Sequence, residues 1–178
     1  MAKIMGVLSQ IENAPDCFVY PSEGFPTINL EHILPDDLRK FYQLCGGVSL
    51  FRSSAYSINI VSPNKFLLAN PVLFTGIREE DLHASKGDIS WSWYIVGEGE
   101  NGQYITVDLS PERLGRCYDS FWDSHAMPGY SQIVAKSFSE MLLRLFENQG
   151  KHWYWIQSEL ESYGDAYDEN YNHSLYDK

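Results

Sequence analysis

Residues 91–122 read WSWYIVGEGENGQYITVDLSPERLGRCYDSFW, and the fold follows from how this stretch is parsed. Trp91, Trp93 and Ile95 fall on one parity, Ser92, Tyr94 and Val96 on the other. Apolar groups on both faces predict a strand in the middle of a sheet. Asn101-Gly102 supplies two residues that accept positive φ, as a tight hairpin turn requires. Tyr104 to Leu109 reads as the returning strand. Tyr104, Thr106 and Asp108 face one way, and Ile105, Val107 and Leu109 the other. That split predicts a sheet with one side on a core and one side wet. After a turn at Ser110-Pro111, Gly115 to Tyr118 reads as a third strand.

The same stretch holds a false signal. Gly97-Glu98-Gly99-Glu100-Asn101-Gly102 matches G-x-G-x-x-G. A dinucleotide site needs that loop to open a helix, whose N-terminus holds the pyrophosphate. Here a strand follows. A kinase glycine loop does lie between strands, but no Val-Ala-Ile-Lys, His-Arg-Asp or Asp-Phe-Gly accompanies it. Glu98 and Glu100 would also repel phosphate. The loop is read as an acidic hairpin tip.

The chain has 178 residues, which suits a single domain with a proper core. An apolar share of 44% and an aromatic share of 15% mark a globular chain. The net charge of -11 would repel nucleic-acid backbones and anionic lipid, and would attract a basic protein. No nucleic-acid or membrane partner is therefore expected. Cys17, Cys45 and Cys117 are odd in number, far apart and without a C-x-x-C pair. They predict reduced thiols in a cytoplasmic protein. The first residues show too short an apolar run for a signal peptide.

Ile4, Val7, Leu8 and Ile11 predict a first amphipathic helix over residues 2–13. Residues 14–30, rich in proline, read as a wandering connection. Leu38, Phe41, Tyr42 and Cys45 form one face of a helix opened by Pro35 and by Asp36 and Asp37, which complement its dipole. Gly46 is expected to close it in the left-handed conformation. Val48 to Phe51 and Tyr56 to Val61 read as strands. Residues 63–90 stay ambiguous, with a helical turn expected at 78–83. A late helix is expected over 131–148, burying Val134, Phe138, Met141, Leu142, Leu145 and Phe146. Ser137 and Glu140 have capping-box spacing, but inside that helix the match carries no weight. Residues 151–163 predict one more helix. From Gly164 the chain turns acidic and tyrosine-rich, so the domain is placed at 1–163 and a loosely held tail at 164–178.

The Leu-Pro-x-x-Leu-x-x-Phe-Tyr helix ending in Gly46-Gly47, the short strands, the Gly-Glu-Gly-Glu-Asn-Gly hairpin and the late helix together resemble the Smi1/Knr4 (SUKH) superfamily over roughly residues 30–148. The fold expected is α+β: one twisted, mainly antiparallel sheet, helices from both chain ends packed on it, and one face or edge left free. The resemblance implies a protein-binding role. Bacterial members are typically immunity proteins that neutralise polymorphic toxins, many of them nucleases or deaminases, and eukaryotic relatives resemble regulators of cell-wall synthesis. On that footing the expected partner is a basic toxin domain. The expected contact groups are Glu98, Glu100, Asp108, Asp119, Trp122 and Asp123, on or near the hairpin.

Catalytic signatures are sparse. The five histidines never fall at H-x-x-x-H spacing or beside a cysteine pair, and no G-x-S-x-G elbow occurs. No cofactor or metal is expected. Asp119, Asp123 and His125 form the one rival cluster, in which an Asp would orient a His acting as base in a small hydrolase. Capping by Asp119-Ser120, with Asp123 and His125 in a solvated loop, explains the same residues more simply. A third reading is a structural subunit that self-associates through its late aromatic helix.

Overall fold

The computed structural model describes residues 2–76, 80, 85–157 and 163–168. Among them, seven strands form one sheet whose spatial order is the chain order. They are β1 (Phe18–Val19), β2 (Val48–Leu50), β3 (Ile58–Ile60), β4 (Trp93–Gly99), β5 (Tyr104–Asp108), β6 (Cys117–Asp119) and β7 (Ile133–Ala135). Every neighbouring pair is antiparallel. The α+β architecture expected from the sequence is the one observed.

β4 lies fourth of the seven strands and is buried on both faces. It starts at Trp93 because Ile89–Ser92 wind into a 3-10 turn whose first free N–H is met by the Asp88 side chain. The β4–β5 turn has φ 57° at Asn101 and 78° at Gly102, so both central residues are left-handed as the Asn-Gly pair predicts.

Three helices build the core on one face: α1 (Ala2–Asn13), α2 (Asp36–Leu44) and, late in the chain, the helix Phe138–Asn148. α1 buries Ile4, Val7, Leu8 and Ile11, and α2 buries Leu38, Phe41 and Tyr42. The late helix buries Phe138, Met141, Leu142 and Leu145, and its Phe138 ring meets Phe41 edge-on at 4.9 Å. The sheet answers with Val48, Ile60, Ile105, Val107 and Cys117, which the strand register places on one face. Each such side chain, removed from water, contributes roughly 1.5–3 kcal/mol before entropy is counted. A short helix, α3 (Ala69–Leu73), packs on β4 and the 3-10 turn before it, and the helix Phe138–Asn148 is α4.

Several local expectations are corrected. Gly46 does not close α2 in the left-handed region. Cys45 ends the helix extended, its N–H on the Phe41 carbonyl. Gly46 is small because a Cβ there would collide with the Pro21 carbonyl, and the positive φ of 131° belongs to Gly47. Residues 14–30 are not wholly irregular, since β1 pairs with β2. The late helix starts at Phe138, because Ile133 and Val134 are β-branched and pair with β6 as β7. The dismissed cap is therefore real, with one bond of the box in place and the other moved to the residue before the cap. Ser137 Oγ accepts the Glu140 N–H at 3.2 Å, and Glu140 Oε2 accepts the Lys136 N–H at 2.8 Å. Residues 151–157 hold a 3-10 turn, Tyr154–Ile156, and no α-helix. The rest of that expected helix, apart from Tyr163, lies outside the described residues, as does most of the turn expected at 78–83. The chain beyond Gly164 is not loose from its start. Gly164 and Ser131 carbonyls accept the Ile133 and Ala166 N–H groups, and Ala166 is buried.

The wet side expected for β5 is wet at one end only. Thr106 and Asp108 are fully buried, sealed by α3, the loop after β6 and residues 163–168. The Asp108 carboxylate accepts from Ser92 Oγ at 2.7 Å, Trp93 Nε1 at 3.1 Å, the Ser110 N–H at 2.8 Å, Arg113 Nε at 2.8 Å and Tyr118 OH at 3.2 Å. Replacing Asp108 by Ala leaves Arg113 and four further donors without their acceptor, and is expected to cost about 3–5 kcal/mol. Urea unfolding of the two proteins measures the difference. A loss below about 1 kcal/mol, the scale of an exposed pair, would show that the carboxylate is not a structural centre.

Candidate binding face

The register lines up Phe18, Ser49, Asn59, Glu98 and Tyr104 as one row across five strands. This row lies on the face opposite the three core helices. Its place owes much to a β-bulge. The pairing slips between Ile95 and Gly97, so that Glu98 comes to share the face of Trp93 and Tyr104.

Side-chain hydrogen bonds tie the row together. Tyr20 OH lies 3.0 Å from Ser49 Oγ, and Ser49 Oγ donates to Asn59 Oδ1. Lys65 Nζ sits 3.5 Å from Glu98 Oε2, with side-chain exposures of 66% and 39%. A cleft of about 360 Å³ is lined by Tyr20, Glu23, Asn59, Lys65 and Glu98. A second of about 200 Å³ shares Lys65 and Glu98 and adds Leu67, Val72 and Tyr104. A third of about 390 Å³ shares Val72 and Tyr104 and reaches Trp122. Together they form one trough. Trp122 is 52% exposed and lies on the hairpin turn, where a Cβ on Gly102 would collide with its ring and its N–H donates to the Gly102 carbonyl.

The expected contact residues divide. Glu98 lies on the trough floor, Glu100 at the exposed turn, Trp122 at the far end, with Asp123 exposed beside it. Asp108 is corrected, because its carboxylate is sealed in the core and turned wholly to internal donors. Asp119 pairs with Ile105, which puts it on the other face of the sheet. It accepts from Gln103 Nε2 at 2.7 Å; burial raises its carboxyl above the ordinary range, and that hydrogen bond opposes the rise.

Asp119, Asp123 and His125 do not form one site. His125 is buried against Trp93 and Phe74, across the sheet from Asp119. Its Nε2 faces Asn70 Oδ1 at 2.9 Å, an acceptor that holds the ring proton there, while Nδ1 is buried without a hydrogen bond. Burial lowers its pKa to about 4 from the ordinary 6.5, with Asp88 opposing. His125 is thus a neutral packing group, which corrects its place in a solvated loop. Among the described residues, no group of three or more His, Cys, Asp or Glu side chains could hold a metal, and no helix is long and apolar enough to cross a membrane. Cys17, Cys45 and Cys117 are free thiols.

Sequence reasoning missed Tyr20, Asn59, Lys65 and Tyr104 as lining residues. The alternation of β5 already put Tyr104 on an open face. Nothing in the run around Tyr20 marked a strand only two residues long.

The chain is similar in sequence to known proteins. Immunity protein YokJ of Bacillus subtilis (strain 168) is 43% identical over 162 residues, covering 91% of this chain and 94% of that protein. No solved structure gives a significant match. Residues 29–144 match the SMI1 / KNR4 family (SUKH-1), a span that takes in α2, β2 to β7 and the start of α4. The chain belongs to the SMI1 / KNR4 family (SUKH-1).

Proposed function

We propose that this chain is a non-enzymatic immunity protein, which neutralises a cognate nuclease-type toxin domain in the cytoplasm by binding it directly. The observation that carries this reading is the likeness to an immunity protein along almost the whole of both chains. The charge agrees with it. A nuclease surface is basic because it must hold phosphates, and a surface of net charge -11 steers toward it and competes for the same ground. Inhibition of this kind needs no bond to be made or broken. His125 of the rival cluster is buried, neutral and held by Asn70, so it is not placed to act as a base.

The test is co-expression with the C-terminal domain encoded by the neighbouring gene. Protection of the cells and a stable complex of the purified proteins are expected. The association rate should fall steeply as salt rises, and Glu98→Lys with Glu100→Lys should slow it by about tenfold. Absence of a complex would end the binding reading, and a salt-independent rate would end charge steering at the tip.

The buried His125 gives a separate outcome. Its folded pKa of about 4 lies below the unfolded 6.5, so the unfolded chain binds more protons between those values. Its contribution is complete above pH 6.5 and is lost as pH falls toward 4, by up to about 3 kcal/mol. Urea midpoints across this range should drop less in a His125→Gln variant than in the unaltered protein. Equal slopes would mean that His125 is not held neutral.

A further inference from the structure

We infer that the trough from Tyr20 to Trp122 is the face on which a basic protein partner docks, and that an arginine of that partner displaces Lys65 from Glu98. The inference rests on the direct-binding reading above and names the surface that performs it.

The sheet face itself makes the first argument. Toward Asp108 it is sealed by α3, the loop after β6 and residues 163–168. Along the Phe18-to-Tyr104 row Ser49 is buried, but Phe18 and Asn59 are exposed and Glu98 and Tyr104 half-buried, and Tyr20 and Trp122 stand 43% and 52% exposed. The second argument is charge. Glu23 and Glu98 line the trough, Glu100 follows at the turn and Asp123 adjoins Trp122. Among the described lining residues Lys65 is the only cation, and it is already on Glu98. Glu23, Glu100 and Asp123 have no ion-pair partner among the described residues. The third is shape and chemistry. A carboxylate on the floor between Tyr20 and Tyr104 suits a planar guanidinium, which stacks on rings and pairs with the carboxylate edge better than an ammonium does. The Lys65–Glu98 contact is long and exposed, so little holds it against a better-matched cation.

The protein labelled with ¹⁵N is titrated with a tri-arginine peptide, and with tri-lysine and tri-glutamate peptides for comparison. Tri-arginine should shift Asn59, Glu98, Tyr104 and the Trp122 indole, and bind tighter than tri-lysine. Glu98→Gln and Tyr104→Ala should each weaken it about fivefold, and Lys65→Ala should tighten it. A structural role for Lys65 would not produce that last result. Shifts spread over the helical face, or affinity indifferent to Glu98→Gln, would overturn the proposal. If peptide binding follows this pattern but the neighbouring gene's domain is not bound, the immunity reading fails and the trough stands. If that domain is bound with the trough variants unaffected, the reverse holds.

Discussion

The Asp108 carboxylate receives five donors drawn from the approach to β4, from β4 itself, from the 110–113 turn and from β6. A buried anion costs several kcal/mol unless its partners are all in place together. That requirement couples β4, β5 and β6. Trp93 sits opposite Asp108, and both its ring N–H and its stacking on Tyr118 at 4.1 Å depend on that register. Burial raises the Tyr118 pKa far above the ordinary range, so it stays a donor to Asp108. At the other end Asn101 and Gly102 fix the turn. Between these two pins β4 carries one residue more than a regular ladder needs, and the bulge absorbs it.

The extra residue decides which carboxylate faces outward. By simple alternation from Trp93 and Ile95, Gly97 would share their face and Glu98 would point to the helices. A one-residue slip reverses the facing of everything beyond it. With the bulge, Gly97 meets Ile105 and Ile58 on the core side, where a Cβ would press on both side chains at 3.2 and 3.3 Å. Glu98 then stands beside Tyr104 on the open face. The glycine and the carboxylate are two results of a single register change.

Elements with a strong local signal were legible in the sequence. The period of Ile4, Val7, Leu8 and Ile11, the Pro-Asp-Asp opening of α2 and the Asn-Gly turn each carry their cause within a few residues. What escaped depends on contacts between distant segments. Asp108 looked like a solvent-side residue, because alternation records parity and not whether a later loop will cover that parity. Its donors Ser92 and Arg113 are many residues away from each other, and nothing local announces the match. His125 read as a loop residue because Asn70, which holds it, lies 55 positions earlier. The residues before α4 were drawn into the helix because Val134 fits both a helical stripe and a strand, and only β6 decides between them. The open row was hidden for the same reason: it takes one residue from each of five strands, and a bulge shifts one of them.

The distribution of charge separates stability from recognition. The chain has 13 Lys and Arg residues, enough for a surface laid out for stability to pair more of its acids. Where the fold needs an ion pair it makes a close one, as between Arg113 and Asp108 at 2.8 Å or Arg144 and Glu140 at 2.7 Å. Around the trough it leaves Glu23, Glu100 and Asp123 in water and gives Glu98 only a loose lysine. Exposed pairs contribute little to stability, so unpaired acids there cost the fold little, while their field acts at a distance on any approaching cation. The strands beneath are held by their ladder and the core, and β4 and β5 by the Asp108 centre as well, so the backbone of the row is fixed in advance. A face that is ordered before binding loses less entropy when it binds. An inhibitor that works by covering its target's site gains affinity from such a face.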